Sequence, residues 1–134
     1  MVQVQPAHAP FFNIRRNLDS GGLHGEFVLR NDENRRSFGT GYYGQDLDEC
    51  VDKIIRSIQA EEKGGGKLGG SKITIESALN SYDERRGYGL LEKNELKELV
   101  EKLKSKREIF KEGEIGRYDT PDTLFSASFL KERR

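Results

Sequence analysis

Tryptophan is absent from this chain of 134 residues, and methionine and cysteine occur once each. A lone cysteine excludes an intramolecular disulfide and fits a reducing compartment. Histidine is nearly absent too: His8 and His24 are the only ones. No Cys/His set therefore has the spacing of a zinc site, and no Cys–His or Ser–His pair offers itself for nucleophilic catalysis. An excess of charge of one sign is also missing. Lys plus Arg number 23, Asp plus Glu number 23, and the formal net charge is zero. Proteins held to nucleic acid mainly through phosphates are usually basic overall, so such binding here would need a local patch. Neutrality equally gives no reason to expect a polyacidic partner or an anionic membrane surface. Apolar runs extend over only a few residues, which excludes a membrane-spanning helix. The opening MVQVQPAHAP has neither a basic start nor an apolar stretch and does not read as a secretory signal. The expected location is the cytoplasm.

Hydrophobic residues are 34% of the chain and charged residues another 34%, so the expected fold is a compact core under a large solvated surface. The most legible stretch is LLEKNELKELVEKLKSKR. Leu96, Leu99, Val100 and Leu103 recur at helical spacing, and a basic end suits the negative helix pole, which predicts a helix over 91–106. A second helix is predicted over 46–60. Asp46 caps it with Glu49 three residues on, and Leu47, Val51, Ile54, Ile55 and Ile58 form its apolar face.

Ahead of that helix, Phe11–Arg16, Leu23–Asn31 and Arg35–Tyr43 read as strands. NLDSGG and NDEN form the turns between them, giving an antiparallel meander that the 46–60 helix covers. Residues 1–10 read as a loose arm and 61–71, with its glycine run, as a flexible loop. Beyond it, Ile75, Ala78, Leu79 and Tyr82 predict a helix over 74–84. The stretch 108–119 reads as a hairpin around KEGEI. Thr120 and Pro121 open a short final helix carrying Leu124, Phe125, Ala127, Phe129 and Leu130.

Three segments imitate chemical motifs. GTGYYG at 39–44 has the glycine spacing of a dinucleotide loop, but the residues before it, NRRSF, are too polar for a buried first strand, so it reads as a glycine-bent strand. GGGK at 64–67 lacks the hydroxyl residue after Lys67 that a phosphate loop needs. The segment from Ser81 through NELKELV has the helix–loop–helix outline of a calcium-binding EF-hand, with Gly89 and Glu95 at the glycine and bidentate positions, but Arg86 and Tyr88 stand where oxygen ligands belong. No metal or cofactor is expected, and no catalytic residues emerge; carboxylates are spread along solvated faces.

Basic clusters with aromatic neighbours remain. From residue 46 on, the expected order of helix, helix, helix, hairpin, helix resembles a winged helix. The fold class expected is thus α+β, an N-terminal three-stranded meander plus helix over 11–60 and a helical, winged-helix-like part over 72–134. The resemblance implies a non-enzymatic nucleic-acid-binding or regulatory protein. Its 91–106 helix would present Lys93, Asn94 and Lys97, with Lys111 on the wing and Arg85 and Arg86 at the approach. A second surface would use Arg15, Arg16, Arg35, Arg36, Tyr42 and Tyr43. The alternative is a protein-interaction or inhibitor module, which the balanced charge and the glutamates of the same helix favour.

Overall fold

A computed structural model of the chain describes residues 10–30, 35–65 and 72–117, with the backbone alone for 29, 30 and 35–39. Six strands and three helices follow one another: β1 (Phe11–Asn17), β2 (Leu23–Arg30), β3 (Arg35–Gly44), α1 (Leu47–Lys63), β4 (Ile73–Leu79), α2 (Ser81–Arg85), β5 (Tyr88–Gly89), α3 (Lys93–Lys106) and β6 (Phe110–Arg117). They build one mixed sheet in the order β3-β2-β1-β4-β6, with β5 paired to β1. β1, β2 and β3 are joined antiparallel, while β4 is parallel to β1 and β6 is parallel to β4.

Side-chain alternation divides the sheet into two faces. Phe12, Ile14, Leu23, Phe27, Ile73 and Ile75 point to one face and join Cys50, Val51, Ile54 and Ile58 of α1 and Leu96, Leu99, Val100 and Leu103 of α3 in a single buried cluster. The rings of Phe12 and Phe27, directly opposite in the hairpin, stack at 4.4 Å. Each such fully buried side chain contributes about 1.5–3 kcal/mol. The cluster draws residues from both sides of the glycine-rich stretch, so both halves of the chain contribute to one core.

Local chemistry sets the helix limits. The Asp46 carboxylate accepts from the Glu49 N–H at 3.0 Å at the start of α1. The Glu95 carboxylate accepts from the Glu92 N–H at 3.0 Å at the start of α3. At the far ends, Arg107 forks onto Glu62 with two bonds of 2.9 Å, tying the end of α1 to the residue that follows α3.

The C-terminal half corrects the winged-helix expectation. Residues 73–79 are a strand, and the helix after them is only Ser81–Arg85. In ITIESAL the alternation of Ile73, Ile75, Ser77 and Leu79 outweighs the helical spacing of Ile75, Ala78 and Leu79. Two β-branched isoleucines flanking a threonine favour the extended chain; Ile73, Ile75, Ser77 and Leu79 bury one face of the strand, while Thr74 and Glu76 leave the other half-buried. The expected hairpin over 108–119 is instead one strand, β6, laid parallel on β4. Gly113 does not turn the chain there. It lets β6 close on β4, since a Cβ at this position would stand 2.4 Å from Thr74 Cγ2 and 2.5 Å from Glu76 Cγ. Among the described residues there is thus no wing, and α3 lies on the sheet instead of standing out as a recognition helix.

GTGYYG lies within β3, where register shifts against β2 bend the strand. The arm at residues 1–9, the 31–34 turn, residues 66–71 of the glycine loop and the final helix expected from Thr120 lie outside the described residues. Among the described residues no helix is long and apolar enough to cross a membrane.

Candidate functional site at the carboxyl ends of the strands

The parallel strands β1, β3, β4 and β6 all end on the same edge of the sheet. From β1 the chain moves to one side, into β2 and β3; from β4 it moves to the other, into β6. Both helical crossovers, β3 to β4 through α1 and β4 to β6 through α3, advance in the same direction and lay their helices on one face, so this end is marked by the loops gathered on it and not by a reversal of strand order. β1 and β4 also part there. Their pairing covers Phe11–Asn13 against Thr74–Glu76, and farther along β5 takes the place beside β1, with Arg16 opposite Gly89 and Asn17 opposite Tyr88.

On the sheet face away from α1 and α3, three rings form a row across this end. His24 of β2 lies beside Tyr42 of β3, centroids 5.6 Å apart and planes at 71°, and beside Tyr88 of β5, at 5.2 Å and 61°. The row follows from strand register: Tyr42 pairs with His24, His24 with Arg15, and Tyr88 with Asn17, the next residue on the Arg15 side of β1. Gly22 makes room for it, because a Cβ there would stand 2.7 Å from Tyr42 Cε1. Tyr42 also donates its hydroxyl to Gln45 Oε1 at 3.0 Å.

Arg15 supports the row from within. Its guanidinium carbon lies 5.3 Å from the Tyr88 ring centre. Arg15 Nη1 lies 3.3 Å from both carboxylate oxygens of Asp83 and 3.4 Å from Glu26 Oε1. All three side chains are nearly buried. Arg15 Nε is buried with no hydrogen-bond partner among the described residues. Burial raises the Asp83 carboxyl above its ordinary range against the opposing pull of Arg15, so desolvation outweighs the ion pair here. His24 is lowered below its usual value, first by burial and then by the Arg15 charge, which keeps the imidazole neutral at neutral pH.

The rim is built by α2 and the loops. Asp83, bound to Arg15, also accepts from the Asn80 N–H while Asn80 Oδ1 accepts from the Asp83 N–H, a reciprocal cap that fixes α2. α2 then presents Tyr82 with two guanidinium groups over its ring, Arg85 at 5.9 Å and Arg86 at 5.3 Å. Arg86 Nη1 donates to the Tyr82 hydroxyl at 2.7 Å. The exposed large hydrophobic residues of the described chain all belong to this end: Leu18 is 64% exposed, Tyr42 46%, Tyr82 42% and Leu90 37%.

The sequence-based candidates divide accordingly. Arg15 and Tyr42 come together on one face, with Arg85 and Arg86 at the rim. Lys93 and Asn94 are exposed at the start of α3, close behind β5, and Lys97 is exposed one turn on. Lys111 is exposed at the opposite end of the sheet, level with Thr74 at the start of β4. Arg16 points to the other face, where it pairs with Glu95 and donates to the Gly21 carbonyl at 3.0 Å. Tyr43 is part of the core. Arg35 and Arg36 begin β3, at the amino end of the sheet. Sequence reasoning missed Asp83 and Glu26 as the carboxylates holding Arg15, and His24 as the centre of the row. The hairpin turn NLDSGG carries the signal for His24, because closing it places His24 directly across from Arg15.

Among the described residues no group of three His, Cys, Asp or Glu side chains could hold a metal ion. Cys50 is buried and its thiol is pushed up to about 12 by burial, which leaves no thiolate for chemistry. The class defined here is an α+β protein with a mixed six-stranded sheet whose polar and aromatic surface gathers at one end. The chain matches no family model, no curated protein and no solved structure.

Proposed function

We propose that this protein is a non-enzymatic nucleic-acid-binding protein whose contact surface is the carboxyl end of the sheet, used without a cofactor. The observation that carries the reading is the convergence at that end of Arg85 and Arg86 on Tyr82 with the Tyr42–His24–Tyr88 row. Arginine beside exposed aromatic rings offers both of the contacts a nucleic acid needs, charge for phosphate and a flat surface for bases. Lys93 and Lys97 extend the positive charge along α3. The glutamates of that helix oppose it less than their number suggests, because Glu95 is engaged by Arg16 and Glu98 lies 3.9 Å from the Lys102 ammonium.

The test is a fluorescence-anisotropy titration against short labelled DNA and RNA, single-stranded and duplex, at low and moderate salt. Binding that weakens steeply with salt, with a smaller salt slope when Arg85, Arg86, Lys93 and Lys97 are replaced together by Gln, supports the reading. Absence of binding at low salt overturns it.

A second reading, a protein-interaction module, is favoured by Leu18 and Leu90, whose exposed aliphatic side chains flank the same end. Leu18→Ser with Leu90→Ser separates the two. Nucleic-acid affinity is unchanged by this pair if phosphate and base contacts carry the binding.

A further inference from the structure

We infer that the Tyr42–His24–Tyr88 row is a stacking platform for unstacked bases, so that the ligand of this surface is single-stranded nucleic acid and not duplex. The inference rests on the nucleic-acid reading above and specifies its ligand. Three features of the row carry it.

The first is position. The rings occupy three different strands on one sheet face, at the end where no long helix covers them. Tyr42 is exposed, and His24 and Tyr88 are half-buried. A sheet face bearing two or three such rings can take one base on each. The second is spacing. Neighbouring rings are 5.6 and 5.2 Å apart and turned by 71° and 61°. Bases within a duplex keep a rise of about 3.4 Å and hide their faces against one another. Bases that meet these rings must be splayed apart, which a single strand does at small cost.

The third is charge. His24 is neutral at neutral pH, and Arg15 beneath Tyr88 is balanced by Glu26 and Asp83. The row is therefore a weakly polar aromatic surface, suited to stacking of separate bases on separate rings and not to phosphate. Charge for the backbone lies at the rim, on Arg85 and Arg86. Arg15 acts as a positioning residue that holds the Tyr88 ring and, through Asp83, the helix carrying the rim. The rim is thereby fixed relative to the platform.

The test uses the full chain and labelled oligo(dT) and oligo(U) of about ten nucleotides, compared with a duplex of equal length. Tyr42→Leu keeps an apolar side chain and removes the ring; Tyr42→Phe keeps the ring and removes the hydroxyl. The expected result is tighter binding of single strands than of duplex, about tenfold weaker single-strand binding by Tyr42→Leu, near-normal binding by Tyr42→Phe, and an unchanged salt slope in both. Ring proton signals of His24 and Tyr42 are also expected to shift upfield when oligo(dT) is added. Duplex binding equal to or tighter than single-strand binding, with no effect of Tyr42→Leu, overturns the platform and leaves the broader reading in place. Failure of both ligands to bind at low salt overturns both. Circular dichroism of the variants confirms that a loss of binding is not a loss of fold.

Discussion

Asn13 and Ala78 are joined twice: Asn13 Nδ2 donates to the Ala78 carbonyl at 3.1 Å, and Asn13 Oδ1 accepts from the Ala78 N–H at 2.8 Å. A buried side-chain amide thus takes the place of a backbone partner just where β4 leaves β1. No apolar side chain can substitute for it. Asn13→Leu would strand a buried donor and a buried acceptor on Ala78, at a cost of about 2–4 kcal/mol. Asn13→Asp would keep the acceptor, lose the donor and bury a charge. Urea unfolding monitored by circular dichroism should rank both variants below the wild type, with Asn13→Asp losing further stability as pH rises through the range where the new carboxyl ionises.

Arg15 compensates two carboxylates that are nearly out of solvent. Arg15→Met keeps much of the volume and removes the charge, leaving Asp83 and Glu26 without their cation. Breaking a buried pair in this way costs about 3 kcal/mol. It should also raise the Asp83 carboxyl still further, since burial already raises it and Arg15 is what opposes that rise. NMR titration of the Asp83 side chain in wild type and variant reads this directly.

The Cys50 thiol is buried in the α1 face of the core and held at about 12. A thiol reagent such as DTNB should leave it unmodified in the native protein and react at once in denaturant. Rapid labelling of native protein would mean that α1 opens from the sheet.

His24 gives a pH dependence whose sign is fixed by its environment. Burial and Arg15 lower its folded value below 6.5, so the unfolded chain binds the proton more readily. The stability this contributes is fully present above the unfolded value and is lost as pH falls through the folded value. Difference unfolding curves for wild type and His24→Gln should therefore converge on a pH-independent gap above neutrality. Below about pH 6.5 the wild type should lose stability relative to the variant.

Cavity formation tests which layer matters most. Leu99 of α3 and Ile54 of α1 are fully buried in the shared cluster. Leu99→Ala and Ile54→Ala should each cost about 2–5 kcal/mol in chemical denaturation. A value below 1 kcal/mol for either would mean that its helix is not held against the sheet.

The two long helices were legible because an amphipathic stripe sustained beyond two turns leaves little choice of period, as Leu96, Leu99, Val100 and Leu103 illustrate. β4 was not legible. Its short apolar run offers Ile75, Ala78 and Leu79 together, which a helix would also bring onto one face. β6 reads as a hairpin because Gly113, in the middle of the charged stretch KEGEI, imitates a turn residue. Part of the candidate site was legible as Arg15, Arg85 and Arg86, arginines close to aromatics in the sequence, and as Tyr42, an aromatic among them. Their sorting was not. Strand register decides that Arg15 and Arg16 face opposite ways, that Tyr42 is exposed while Tyr43 is core, and that Lys111 stands at the far end. Asp83 meets Arg15 only through the packing of α2, and no local spacing announces it.

β1 lies in the middle of the sheet, but its parallel neighbour β4 comes from the far side of the glycine-rich stretch. As the chain leaves the ribosome, β1 therefore waits with one edge open until residues 73–79 have been made. A chain nicked among the glycines would yield two pieces that each lack the other's central strand. Separately each should be an aggregation-prone fragment; mixed, they carry complementary edges and should assemble into a non-covalent whole.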